Sequence, residues 1–217
     1  MRMIVPLLII LFFAGCSTPQ HEDAWRYQAA SATEAYGEHF LKDERVQIQS
    51  NYSHAERSAK QSADLVPLAR LYLSECALNR AVLVDDDCEK FAKTIPMQYD
   101  PELTAYYAML KGTLTQKQVG NLPWRYRSFA RAYLAKDAKE IRSTVAAMEP
   151  LRSRLVAASL VRDTLQEADI DSLIDAMSYL GYRRALLAWM AYLGDITPDM
   201  QKRRRLQQKQ ELLTRTR

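Results

Sequence analysis

Apolar residues recur at intervals of three and four along most of the chain from residue 24 onward. Trp25, Ala29, Ala32 and Tyr36 form the first such series, and this spacing is typical of one buried face of a helix. No stretch alternates apolar and polar residues long enough to indicate a strand. The pattern predicts an all-α protein with roughly ten or eleven helices of about 10–20 residues.

Proline and glycine mark the expected helix boundaries. Breaks are predicted at "YDPEL" (99–103), "GNLPW" (120–124), Pro150 and "GDITPD" (194–199), and Gly37 is expected to interrupt or end the first helix. The connections between these breaks are short, which favours stacked antiparallel helical hairpins.

A loose internal repeat accompanies these helices. The string "LARLYL" (68–73) recurs as "FARAYL" (129–134) and "AWMAYL" (188–193). The stretch "SNYSHAERSAKQSADLVPLARLYL" (50–73) resembles the junction between helices of tetratricopeptide repeats (TPR), but no 34-residue period runs through the chain. The expected fold is therefore either a TPR-like solenoid or an irregular helical bundle.

The N-terminus carries a short apolar run. Residues 3–15 are apolar apart from Pro6 and Gly15 and follow Arg2, and they are too few to span a bilayer core, which needs about 20. Phe13-Ala14-Gly15-Cys16 resembles the lipobox of bacterial lipoproteins. The resemblance implies cleavage after Gly15 and acylation of Cys16. The alternatives are an uncleaved N-terminal anchor, or a plain signal peptide with an incidental cysteine.

This interpretation divides the chain into four parts. Residues 1–15 are the signal peptide, 16–23 the lipidated cysteine and a tether, 24–199 a helical domain, and 200–217 a basic helix or tail. Ser17 rather than aspartate follows the cysteine, which is compatible with lipid anchoring at the outer membrane, facing the periplasm. Inner-membrane anchoring and surface exposure stay open.

Two cysteines remain once Cys16 is lipidated. In an exported, oxidising compartment Cys76 and Cys88 are expected to form a disulfide, with two free buried thiols as the alternative. In a symmetric helical hairpin the chain would turn near Val82. The next helix would then start around Asp86–Asp87, whose carboxylates would cap it.

The net charge of +4 is unevenly distributed. Residues 202–217 hold seven basic residues against one acid, including Arg203, Arg204 and Arg205. The rest of the mature chain is mildly acidic, which argues against a nucleic-acid-binding domain. The tail is interpreted either as a solvated helix extension or as a surface for anionic lipid headgroups or an acidic partner.

The segment "PWRYRSFARAY" (123–133) interleaves arginine with aromatic residues. On a helix, Trp124, Arg127 and Arg131 share one face, which makes them candidates for binding a partner or stacking on a glycan. The alternative is an amphipathic core helix whose arginines extend to solvent.

Recognisable catalytic motifs are missing from the sequence. The three histidines lack metal-ligand spacing, no nucleophile or phosphate-binding motif occurs, and "VDDDCE" (84–89) lacks the EF-hand pattern. We therefore expect no catalytic residue, cofactor or metal. The expected function is that of a lipid-anchored scaffold or adaptor, binding a protein partner in a secretion, pilus or motility apparatus. The alternative is a small-ligand or glycan-binding envelope lipoprotein, which a concave site with converging Tyr, Arg and Glu side chains would favour.

Overall fold

A computed structural model describes residues 24–97 and 99–215. All regular elements in these ranges are helical and none is a strand, which confirms the all-α prediction. The α-helices are α1 (Ala24–Lys42), α2 (Arg45–Ala59), α3 (Val66–Ala81), α4 (Glu89–Ala92), α5 (Pro101–Leu110), α6 (Trp124–Ala135), α7 (Ala138–Ala146), α8 (Leu151–Leu160), α9 (Glu167–Leu180), α10 (Arg183–Ile196) and α11 (Met200–Arg215). Short 3-10 helices cover Ile95–Met97, Gln116–Asn121 and Arg162–Thr164.

The signal peptide 1–15, Cys16 and the tether lie outside the described residues, so the lipid anchor stays a prediction. Within the described ranges, no helix has both the length and the apolar character needed to cross a membrane.

Helices α1 and α2 form a hairpin. Asp43 adopts a positive φ of 66° after the last residue of α1, and the backbone N–H of Glu44 returns to the carbonyl of His39 at 3.1 Å. Helix α1 continues through Gly37 to Lys42, so the break expected at Gly37 is wrong. The glycine is buried against Arg152 of α8, and this close packing accounts for its place within the helix.

Helix α3 lies at the centre of the core. Eight of its residues are buried, among them Leu71, Leu73 and Cys76, and it contacts α1, α2, α4, α5 and α8. Pro67 falls in the first turn, where its missing N–H costs nothing. A helix that is apolar on most of its circumference is expected in such a position.

Contacts between distant parts of the chain close the fold. The fully buried Trp189 of α10 donates from Nε1 to the carbonyl of Ala81 at the end of α3, at 2.9 Å. Helix α10 also contacts α1, and α8 contacts α3. In a solenoid each repeat contacts only its neighbours, so these contacts favour the irregular bundle over the TPR-like solenoid.

A disulfide joins Cys76 to Cys88, with 5.1 Å between their Cα atoms, in agreement with the predicted pairing. The helical hairpin is less symmetric than expected, because α4 is a single turn that begins at Glu89. Asp86 does not cap it. Its carboxylate accepts from the Cys88 N–H and from Asn79 Nδ2, both at 2.6 Å, and so braces the loop.

The basic C-terminal segment is a docked helix. In α11, Leu206 is buried and Leu213 packs against the core, whereas Met200 is exposed. Lys202 bonds Glu167 at 2.9 Å and Asp171 at 2.8 Å on α9. One face of this segment is therefore docked while most of its residues stay exposed, so the interpretation as a solvated extension holds for the outer face only.

Candidate functional site

A groove of about 430 Å³ opens where α1, α3, α5, α6 and α8 meet. We call it the Trp124 groove. Its volume lies within the range of about 300–1,000 Å³ that is usual for small-molecule sites. It is lined by Thr33, Glu34, Gly37, Arg70, Ser74, Ala77, Leu78, Glu102, Tyr106, Pro123, Trp124, Arg125, Tyr126, Arg127, Arg152, Ser153 and Val156.

The first turn of α6 supplies one edge of the groove. Pro123 precedes the helix, and no side chain caps its N-terminus. Trp124 is 74% exposed, which is unusual for a large aromatic residue. Arg125 and Arg127 follow it, so one helical turn presents an aromatic ring and two cations.

Two tyrosines form part of the groove lining. The rings of Tyr106 and Tyr126 have centroids 5.2 Å apart, and their hydroxyl oxygens are hydrogen-bonded at 3.2 Å. Burial raises the pKa of both phenols. Both therefore stay neutral at physiological pH and can donate or accept hydrogen bonds.

The two glutamates of the groove are each held by an arginine. Arg152 donates to the Glu34 carboxylate at 2.6 and 2.5 Å, and Arg70 donates to Glu102 at 3.2 Å. Burial opposes the charge of Arg152, yet the bonds to Glu34 raise its pKa above the ordinary value. Each carboxylate of the groove therefore already has a cation as its partner.

The other two arginines have no acidic partner among the described residues. Arg125 donates from Nη1 to Ser153 Oγ at 3.4 Å, and its Nε is buried without a hydrogen-bond partner. Arg127 donates from Nε to the Leu122 carbonyl at 2.8 Å. The groove thus carries four arginines against two glutamates and has an excess of positive charge.

The structure places the candidate binding residues predicted from the sequence in different surroundings. Trp124 and Arg127 line the groove, whereas Arg131 is exposed and not among the lining residues. Arg203 binds the carbonyls of Gly194 and Thr197 at 2.9 and 2.8 Å. Arg204 and Arg205 are exposed. Arg203 therefore holds the connection between α10 and α11, and only its two neighbours face solvent.

Sequence reasoning missed several residues of the groove. Arg125 lies beside Trp124 in the segment that interleaves arginine with aromatic residues, and this position could have identified it as a candidate. Tyr106, Arg152 and Glu34 come from other helices, and nothing local in the sequence indicates that they meet.

A second cavity of about 280 Å³ lies near the disulfide loop, between α3, α5 and α8. Arg80 reaches it but already donates to the Asp86 carbonyl at 2.9 Å and lies 3.9 Å from Asp85. Lys111 pairs with Asp87 at 2.8 Å. Arg80 Nε, like Arg125 Nε, is buried without a partner among the described residues, but Arg80 and Lys111 each have an acidic or carbonyl partner, which makes this cavity the weaker candidate.

Comparison of the chain with protein-family models, curated proteins and solved structures finds no match.

Proposed function

We propose that this chain is a binding lipoprotein of the bacterial envelope. Lipidated Cys16 holds it at the outer membrane, facing the periplasm, and the Trp124 groove binds a small ligand. The observation that carries the proposal is the convergence of Trp124, Arg125, Tyr106 and Tyr126 in a groove of about 430 Å³.

The side chains of the groove suit recognition better than chemistry. Burial raises the pKa of its tyrosines, which disfavours the phenolate, and both glutamates are paired with arginines. A general base must be free to take a proton from the substrate. Arginine guanidinium groups, which stay protonated, bind anions without transferring protons.

A second candidate function is that of an adaptor for a protein partner in an envelope assembly. It is favoured by the outward face of α11, on which Arg204 and Arg205 are exposed and Leu212 is 66% exposed. A basic surface with an exposed apolar side chain fits an acidic partner protein.

Filling the groove tests the proposed function. Ser74→Trp places a large side chain in the groove from α3, and Ser172→Trp makes the same change on the exposed face of α9. The full chains are purified from envelopes and examined by native mass spectrometry, with circular dichroism to verify folding. A small molecule retained by the wild type and by S172W should be missing from S74W. Retention of the same molecule by folded S74W would overturn the proposal.

The anchor and the adaptor function have separate tests. C16S should move the protein from the membrane fraction to the soluble fraction, and continued membrane association would contradict lipidation. R204E/R205E should abolish cross-linking to a protein partner if α11 binds it, while the ligand in the groove is unaffected.

A further inference from the structure

We infer that the Trp124 groove binds a carboxylated saccharide, whose carboxylate lies on Arg125 and whose sugar ring lies on Trp124. The inference rests on the proposed function, since it names the ligand class of the same groove.

The charge of the groove points to an anion. Arg152 and Arg70 already have the two glutamates as partners, which leaves Arg125 and Arg127 as the cations without an acid. Arg125 has five N–H donors, yet among the described residues its side chain makes one hydrogen bond, to Ser153 at 3.4 Å. A carboxylate accepts two parallel N–H bonds from a guanidinium, so a bound carboxylate would provide acceptors for the N–H groups of Arg125.

Trp124 supplies a flat apolar surface beside these cations. Its exposed ring is on the same helical turn as Arg125 and Arg127. The ring offers a large contact area and a polar N–H at one edge. The C–H face of a pyranose ring matches such a surface, while its hydroxyl groups remain available for hydrogen bonds.

The rest of the lining favours a ligand rich in hydroxyl groups. Thr33, Ser74, Ser153 and the two tyrosines contribute hydroxyls. Thr33 donates to the Ala29 carbonyl and the two tyrosine hydroxyls bond each other, but a hydroxyl oxygen has two lone pairs with which it can also accept from a ligand. A purely hydrocarbon or simple aromatic ligand would form no hydrogen bond with these oxygens. A saccharide has both the hydroxyls for these partners and, when oxidised to a uronic acid, the carboxylate for the arginines.

The test compares two tetrasaccharides by isothermal titration calorimetry on the full chain in detergent. The acidic probe alternates glucuronate with N-acetylglucosamine, and the neutral probe is chitotetraose. The acidic probe should bind about tenfold or more tightly than the neutral one, because a charge-assisted pair is worth more than one between neutral groups. Its affinity should fall as salt is added.

Variants assign the binding to the groove. R125Q should weaken binding of the acidic probe about tenfold, and W124A should weaken binding of both probes. R131Q alters an arginine of the same helix that does not line the groove, so it should change affinity less than about twofold. Equal binding of both probes, or no effect of R125Q, would overturn the inference.

The two proposals fail in different ways. If neither tetrasaccharide binds at millimolar concentration while S74W still removes a ligand that the wild type retains, the saccharide inference is wrong and the binding function stands. If S74W removes nothing and neither probe binds, both are wrong.

Discussion

The guanidinium of Arg152 occupies the space beside Gly37 where any other residue would carry a side chain. A Cβ at position 37 would lie 2.6 Å from Arg152 Nη1. The absence of that carbon lets Arg152 of α8 pass over α1 and reach Glu34 one turn earlier. This contact forms one wall of the Trp124 groove.

Gly37→Ala should therefore change the geometry of the groove while leaving the stability of the fold nearly unchanged. Alanine favours a helix over glycine by about 1 kcal/mol, which offsets the cost of moving the flexible end of Arg152. We expect a free energy of unfolding within about 1 kcal/mol of the wild type, together with loss of the Arg152–Glu34 pair.

A double-mutant cycle between Arg152 and Glu34, the latter changed by Glu34→Gln, measures the coupling free energy of this pair. The Glu34 side chain is 71% exposed, so the coupling should be about 0.5 kcal/mol in the wild type and absent in G37A. An undiminished coupling in G37A would contradict this account.

The three consecutive arginines of α11 should differ sharply in their effect on stability. Arg203→Ala removes two hydrogen bonds to the carbonyls of Gly194 and Thr197, and Thr197 is fully buried. We expect a loss of about 2 kcal/mol, because carbonyls near a buried turn lose their donors. Arg204→Ala and Arg205→Ala change exposed residues and should stay within about 0.5 kcal/mol of the wild type. Urea denaturation of the three variants checks this, and equal effects would be incompatible with the docked position of α11.

Reduction of the disulfide should destabilise the fold. The bond joins residues 12 apart in sequence, and a loop of this length is worth about 3 kcal/mol on the loop-entropy model. Both cysteines are buried. The urea midpoint of the wild type should fall when a reductant is added. The double variant Cys76→Ala/Cys88→Ala should have a midpoint below that of the oxidised wild type, and reductant should not change it. A wild-type midpoint that ignores reductant after verified reduction of the bond would refute this prediction.

The docking of α11 should weaken in acid. The side chain of Lys202 holds the pKa of Glu167 below its usual value, and the backbone N–H groups of Lys202 and Gln201 do the same for Asp199. A carboxyl whose pKa is lowered by folding stabilises the fold fully above its unfolded pKa, near 4. That stabilisation is lost as pH falls through the folded value. Amide hydrogen exchange in α11, corrected for the intrinsic rate, should be constant between about pH 5 and 8 and accelerate relative to the core below about pH 4.

Asp199→Asn isolates one part of this effect. Asparagine is also a good N-cap, so the cap remains while its titration is removed. The variant should retain the helix and show a smaller acceleration of exchange in acid than the wild type. An unchanged response to acid would assign the effect to Glu167 alone.

Local features of the sequence predicted the local features of the fold. The series that includes Ala29, Ala32 and Tyr36 lies on a buried face of α1, because periodicity reports which side of a helix is apolar. The pairing of Cys76 with Cys88 followed from their number and compartment. Gly37 was misread because helix propensity carries no information about what packs against the backbone.

The groove was beyond prediction for the same reason. Arg125 meets Ser153 across 28 residues, and Arg152 meets Glu34 across 118. No local pattern specifies which helices pack together. The three arginines 203–205 show a related limit, since successive residues on a helix point about 100° apart and only docking decides which of them faces inward.

The bonds of α1 have a consequence for the order of folding. Glu34, Glu38 and Asp43 find their partners 118, 144 and 141 residues later, in Arg152, Tyr182 and Arg184. During synthesis, α1 therefore waits for residues of α10 before its contacts are complete. Such long closures slow folding relative to bundles of local contacts. A nascent chain that ends before α8 has its α1–α2 hairpin but lacks Arg152, Tyr182 and Arg184, so these three long-range contacts of α1 cannot form in it.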